Sequence, residues 1–411
     1  MKIIVLLVVM WACATIIETN AQNCTNTSVG YPRINDLATG FWQGSQGGLY
    51  PGGSNYRPAY HNQQGLLIAS QIQPLDSAGN IDLTNGKVIW LSIGMSNTTG
   101  ETQAFIAIAN TFQDINPKLE IIDGAQGGQH INIIINPNAN YWQVINSRLA
   151  SAEFTPKQVQ VIWFKQAEAQ PTDTTFATYP DALKIKYRAA VQIIKAKYPN
   201  TKLCYLSPRI YAGYATTALN PEPFAYYTGW TIKRLIEDQI NGDTALAYRG
   251  VDARAPWLAW GPNLWADGTT PNSDGLTWIC PDDFNSDGTH PSATGRQKVA
   301  QKLLDFFTTD STACSWFLGN CPMTTGINAV SDSSATDVYP NPFISEVTIR
   351  ADKPFKNARI VVYNSIGQHI KTIENVSGSS VSIDLSGEAS KLYFVTIHSD
   401  GRIVTMGAIK E

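Results

Sequence analysis

Between about residue 85 and residue 310, short apolar runs alternate with longer stretches of helical period. The runs "VIWLSI" (88–93), "KLEIID" (118–123), "VQVIWF" (159–164), "KLCYLS" (202–207) and "APWLAW" (255–260) predict strands. The first, third and fourth are nearly unbroken in apolar residues, as expected of strands covered on both faces. Between them, "TTGETQAFIAIANTF", "YWQVINSRLASA", "DALKIKYRAAVQIIKAKY" and "PFAYYTGWTIKRLIEDQI" carry helical periodicity, and "RQKVAQKLLDFF" closes the series. This alternation predicts an α/β domain: a three-layer α/β/α sandwich on a mainly parallel five-stranded sheet. An active site belongs at the C-terminal ends of its strands.

The pattern changes on either side. Residues 22–84 are rich in Gly, Asn and Pro, with one helical stretch around "AYHNQQGLLIASQIQ", and are expected to decorate the sandwich of residues 85–322. Residues 323–337 have the small polar composition of a linker. From 338 to 411 the period falls to two in "EVTIRA", "ARIVVYN", "HIKTIE", "SVSIDL", "LYFVTIH" and "RIVTMGAI", which predicts a small antiparallel β-sandwich.

Length agrees with this division, since 411 residues exceed what one ordinary core accommodates. A net charge of −3 with only 15% charged residues gives no basic surface for nucleic acid or anionic lipid. Residues 1–21 have a basic start, a short apolar run and a small-residue exit, the layout of a secretory signal peptide, and no transmembrane segment is expected in the mature chain. Export makes disulfides possible. Of Cys24, Cys204, Cys280, Cys314 and Cys321, the pair Cys314 and Cys321 brackets a short loop and is the first expected bridge, while the odd number leaves a thiol over. No Cys/His cluster suggests a metal, and no cofactor is expected.

Four segments could carry chemistry. Ser96 and Asn97 follow the first strand in "LSIGMSNTTGE", where Thr98 and Glu101 read as a capping box, so Ser96 sits at a strand-to-helix turn near a helix N-terminus. Gly127 and Gly128 follow the second strand and could offer unobstructed backbone N–H groups to an oxyanion. Lys165 and Gln166 emerge from the third, where the Gln166 amide could add another donor. "DDFNSDGTHPS" (282–292) can be read two ways. As a calcium loop it offers Asp283, Asn285 and Asp287, but its twelfth position is Thr294 where a bidentate Glu is needed. As a catalytic loop, Asp287 could hold the Nδ1 proton of His290 so that Nε2 is free to take a proton from Ser96. Pro291 is expected to open the following helix.

Together these segments resemble the SGNH hydrolase superfamily, and within it the sialate O-acetylesterase and acetylxylan esterase branch. The "GMSN" of 94–97 is similar to that branch's "GQSN", "WFKQAE" to its "W-x-Q-G-E", and "DGTHP" of 287–291 to its "DG.HP". The resemblance covers roughly residues 85–310. It implies a flavodoxin-like sheet, Ser96 as nucleophile, His290 as base, Asp287 as its orienter, and an oxyanion hole of Ser96, Gly127 or Gly128, and Gln166.

The tail resembles the C-terminal sorting domain of the type IX secretion system through "VYPNPF", "VYNSIGQ" and "LYFVTIHSDGRIVTMGAIK". That implies a Bacteroidota-type bacterium, engagement of the type IX machinery, and a protein that ends on the cell surface or in the medium.

Aromatic residues crowd the loops near the four segments, and sugar faces stack on such rings. Tyr214 and Trp265 are candidate cleft residues, with Asn97 as a further substrate contact; Arg209 is a candidate partner for a substrate carboxylate, and Trp257 is expected in the core. The expected function is a secreted serine esterase that removes acyl groups, acetyl first among them, from carbohydrate. The alternative is a non-catalytic surface glycan-binding protein on the same fold, with a calcium-dependent adhesin third.

Overall fold

A computed structural model describes residues 22–250, 252–321, 336–364, 368–389, 392–399 and 402–411. The signal-peptide reading of 1–21 and all but the last two residues of the 323–337 linker lie outside them.

Five parallel strands form the central sheet: β1 (Val88–Gly94), β2 (Leu119–Asp123), β3 (Val159–Lys165), β4 (Leu203–Leu206) and β5 (Trp257–Trp260). Their spatial order is β2-β1-β3-β4-β5. Every residue of β1, β3, β4 and β5 is buried, which accounts for their unbroken apolar runs. Strand order reverses between β1 and β3, because the chain leaves β1 toward β2 on one side and returns to β3 on the other. At such a switch point the connecting loops diverge and leave a crevice beyond the strand ends.

The helices form two packed groups. α2 (Ser96–Ala109) lies against α6 (Ala293–Thr309), and α4 (Tyr179–Lys197) against α5 (Phe224–Ile240). α3 (Asn140–Ser151) packs beside β2. The N-terminal segment belongs to the same core through Ile34, Tyr50, Ile68 and Ile72. Its helix α1 (Ala59–Ala69) approaches β5 so closely that a Cβ on Gly65 would lie 2.4 Å from the Trp257 ring. Trp257 is in the core, as expected. Cys24 bonds Cys280, tying this segment to the chain just before the 282–292 loop, and Cys314 bonds Cys321; among the described residues Cys204 is the free, buried cysteine.

The tail has a separate core, built on Val347, Ile349, Ile360, Val362, Ile383 and Val395 among others. Its strands are β6 (Thr336–Tyr339), β7 (Glu346–Asn364), β8 (His369–Asp384), β9 (Leu392–Ser399) and β10 (Arg402–Ile409), all antiparallel. Two pairs of expected strands are each one long strand here. The polar residues that separate the expected strands, near Asn357 and Gly378, lie where β7 and β8 shift register. A bulge and a turn share the same polar composition, so period alone does not separate them.

Candidate active site

Ser96 is the first residue of α2, with Met95 in extended conformation at the cap. β1 is held by neighbours on both sides, so the turn that follows it has little freedom. The first backbone N–H groups of α2 have no acceptors within the helix, and the helix dipole makes this end favourable for negative charge. The expected capping box does not form. Thr98 donates its hydroxyl to the Lys165 carbonyl at 3.0 Å, and Glu101 turns inward to Lys165 Nζ at 2.6 and 2.7 Å. Both side chains of that pair are buried, and it fixes α2 to the end of β3 directly behind the Ser96 turn.

Ser96 Oγ lies 2.7 Å from His290 Nε2, and His290 Nδ1 lies 2.5 Å from Asp287 Oδ2. The other oxygen, Oδ1, accepts from the backbone N–H groups of Thr289 and His290, each at 3.0 Å. Burial pushes the Asp287 carboxyl up, but these backbone N–H groups and the imidazole outweigh it and hold it below the usual carboxylate range. An ionised carboxylate can only accept, so the Nδ1 proton points at Asp287 and Nε2 faces Ser96 as an acceptor. The geometry suits removal of a proton from the serine hydroxyl.

The 282–292 loop keeps this arrangement through its own bonds. Asn285 N–H donates to the His290 carbonyl, Gly288 N–H to the Asn285 carbonyl and Thr216 N–H to the Asp287 carbonyl. Gly288 has φ +62°, and a Cβ there would meet the Tyr214 carbonyl at 2.0 Å, so only glycine fits. Asp283 is engaged elsewhere: its Oδ2 accepts from Ile279 N–H and Lys298 Nζ, at 2.7 and 2.5 Å. That lysine occupies the place a cation would need. No group of His, Cys, Asp or Glu that could hold a metal occurs among the described residues. Pro291 precedes the cap rather than opening α6; Ser292 caps it, accepting from Gly295 N–H.

Gly127 faces Ser96, since a Cβ on it would lie 3.9 Å from the Ser96 Cβ. The N–H groups of Gly127 and Gly128 enter no backbone hydrogen bond among the described residues, and Gly128 has φ +74°. With the Ser96 N–H they are the candidate oxyanion donors. Gln166 is committed to the loop instead. Its Nε2 donates to the Gln129 carbonyl at 2.7 Å and its Oε1 accepts from Ala167 N–H at 3.0 Å, so one amide hydrogen is left for an oxyanion.

The four expected substrate contacts are all buried: Asn97 is 2% exposed, Arg209 2%, Tyr214 0% and Trp265 3%. Asn97 donates to the Thr289 carbonyl at 3.0 Å, linking α2 to the His290 loop. Tyr214 donates its hydroxyl to the Trp278 carbonyl and packs on Phe284. Trp265 donates its indole N–H to Glu222 and packs on Tyr226. Arg209 has Nε and Nη2 enclosed without acceptors. These aromatic rings therefore build the scaffold behind the site and cannot stack on a sugar.

Glu222 also accepts from Ala212 and Tyr226 N–H, at 3.0 and 2.9 Å. Burial, only partly opposed by these bonds, raises its carboxyl to about 7. Unfolded, it would titrate near the ordinary value of about 4.3. The folded chain then binds more protons between those values, so Glu222 contributes stability that is present at low pH and lost as pH rises to about 7. Asp123, raised by burial to about 6, acts in the same direction. His61, which burial draws down to about 4, acts in the opposite direction between that value and the ordinary imidazole range. The test is therefore the difference: in urea unfolding across pH 4.5–7.5, stability should fall more with rising pH in the wild type than in Glu222→Gln, and an equal pH dependence would remove Glu222 as a cause.

Residues 337–411 match a protein family described as the secretion system C-terminal sorting domain. The chain is thus addressed to the type IX machinery, for export through the outer membrane to the cell surface or the medium. No curated protein matches the chain. Among solved structures, an engineered protein determined by the Northeast Structural Genomics Consortium is similar at 9% identity over 85% of this chain and 81% of that one. Its TM-score of 0.20 carries no argument about the fold. No helix among the described residues is long and apolar enough to cross a membrane.

Proposed function

We propose that the exported domain is an SGNH-type serine esterase that hydrolyses acyl esters, acetyl first among them, on carbohydrate. The observation that carries the proposal is the continuous Ser96–His290–Asp287 contact at the switch point of the sheet.

His290 Nε2 takes the Ser96 proton as Oγ attacks the ester carbonyl. The N–H groups of Ser96, Gly127 and Gly128 receive the oxyanion of the tetrahedral intermediate. His290 returns the proton to the departing sugar oxygen, leaving an acyl-serine. A water, deprotonated by the same imidazole, then attacks that ester, and collapse of the second intermediate releases the acid and restores Ser96. Asp287 keeps its negative charge throughout and stabilises the imidazolium that forms in each half. None of these steps calls on a metal or an organic cofactor.

The carbohydrate half of the proposal rests on export and on resemblance, because the expected stacking rings are buried. Incubation with a panel of acetylated polysaccharides is expected to release acetate, and removal of their acetyl groups by alkali to abolish the signal. Retardation by these polymers in affinity electrophoresis without release of acetate would favour the glycan-binding alternative and overturn the esterase.

A further inference from the structure

The loop that carries Gly127 and Gly128 begins at the end of β2, on the edge strand of the sheet, where no further strand among the described residues restrains it. A donor that must meet an oxyanion needs that loop fixed to a fraction of an ångström. The restraint comes from α3. Arg148, near the end of that helix, reaches back with Nη1 to the carbonyls of Asp123 and Ala125, each at 2.7 Å. Tyr141, in its first turn, accepts the Gly94 N–H on its hydroxyl at 3.0 Å, and its carbonyl receives Gln126 Nε2 at 2.9 Å. One helix therefore grips both the strand end before Ser96 and the chain just before Gly127.

The remaining bonds run the same way. Asp123 Oδ1 accepts from Ala125 N–H at 3.0 Å and Ser92 Oγ at 3.1 Å, and Gln126 N–H reaches the Gly94 carbonyl at 3.1 Å. Among these groups Arg148 is the side chain that donates to two backbone carbonyls of the chain leading to Gly127, one at the strand end and one just past it. Its side chain is 36% exposed, so its place is at the surface of the clamp and not in the core.

We infer that Arg148 is a positioning residue that sets the oxyanion donors of Gly127 and Gly128 through the carbonyls of Asp123 and Ala125. This rests on the esterase proposal. The contacts of Arg148 are with Asp123 and Ala125 and not with Ser96, so its loss should leave substrate binding nearly intact and weaken the stabilisation of developing charge.

The test uses the full chain with Arg148→Met and Arg148→Lys, read on an aryl acetate and on the rate of phosphonylation by a fluorophosphonate. Phosphonylation also builds charge on an oxygen held by the donors. In the Met variant kcat should fall by about 10²-fold with KM within about twofold, and the phosphonylation rate should fall in parallel. The Lys variant, able to donate from one point only, should lie between. A kcat for Arg148→Met within twofold of the wild type would overturn the inference while leaving the esterase standing. A folded variant whose KM rises at unchanged kcat would overturn it as well. If the Met variant does not fold, the same comparison is made on Arg148→Lys alone, where an unchanged kcat overturns the inference. A wild-type chain that neither releases product nor takes the label would overturn the inference and the esterase together.

Discussion

Ser96→Ala is expected to lower kcat on an aryl acetate by about 10⁶-fold, the loss seen when the nucleophile of a serine hydrolase is removed. The thermal unfolding midpoint should not move. The hydroxyl bonds to His290, and His290 keeps its place through Asp287 and the Asn285 N–H without it. Asp287→Asn should cost less, about 10⁴-fold in kcat, because the amide can donate to Nδ1 and so favours the tautomer with its proton on Nε2. The ordering matters more than either value. Equal rates in the wild type and Ser96→Ala would remove Ser96 from the chemistry, and an undiminished Asp287→Asn would remove the orienting role.

The largest expected loss of stability lies one layer deeper. Lys165→Met would leave the Glu101 carboxylate buried beside an apolar chain, and breaking a buried pair from one side costs about 3–5 kcal/mol. Burial, joined by the nearby Arg209, draws the lysine ammonium down to about 8 against the pull of Glu101. The double variant Glu101→Leu, Lys165→Met removes both charges and should recover most of that loss. Urea unfolding of the two chains and the wild type checks this. If the double variant is no more stable than Lys165→Met, the unpaired carboxylate is not the cause. Because the pair fixes α2 against β3, the single variant should also lose activity at temperatures where it is still folded.

Strands β1, β3 and β4 were legible because burial on both faces leaves a local mark, a nearly unbroken apolar run that needs no knowledge of its partners. Ser96 was legible for a related reason: its place after the first run follows from chain order alone. Asp287 and His290 lie three residues apart, so their contact is also local. What failed depended on contacts distant in sequence. Glu101 read as half of a capping box, yet its partner is Lys165, 64 residues away. Cys24 and Cys280 are 256 residues apart, and cysteine spacing does not fix such a connection. Tyr214 and Trp265 looked suited to a cleft, but an aromatic residue with one polar atom serves a core equally well once that atom finds a carbonyl or a carboxylate. Arg148 resembled an ordinary basic residue in the last turn of a helix. Its two carbonyl partners precede the helix, and nothing in the local pattern distinguishes them.

The most direct test of the central claim is covalent. The full chain is treated with a fluorophosphonate, digested and mapped by mass spectrometry, beside His290→Ala and a heat-denatured control. One adduct is expected, on Ser96, formed in the folded wild type, strongly slowed in His290→Ala and absent after denaturation. An unlabelled Ser96 in the folded chain, or labelling that is indifferent to His290, would contradict it.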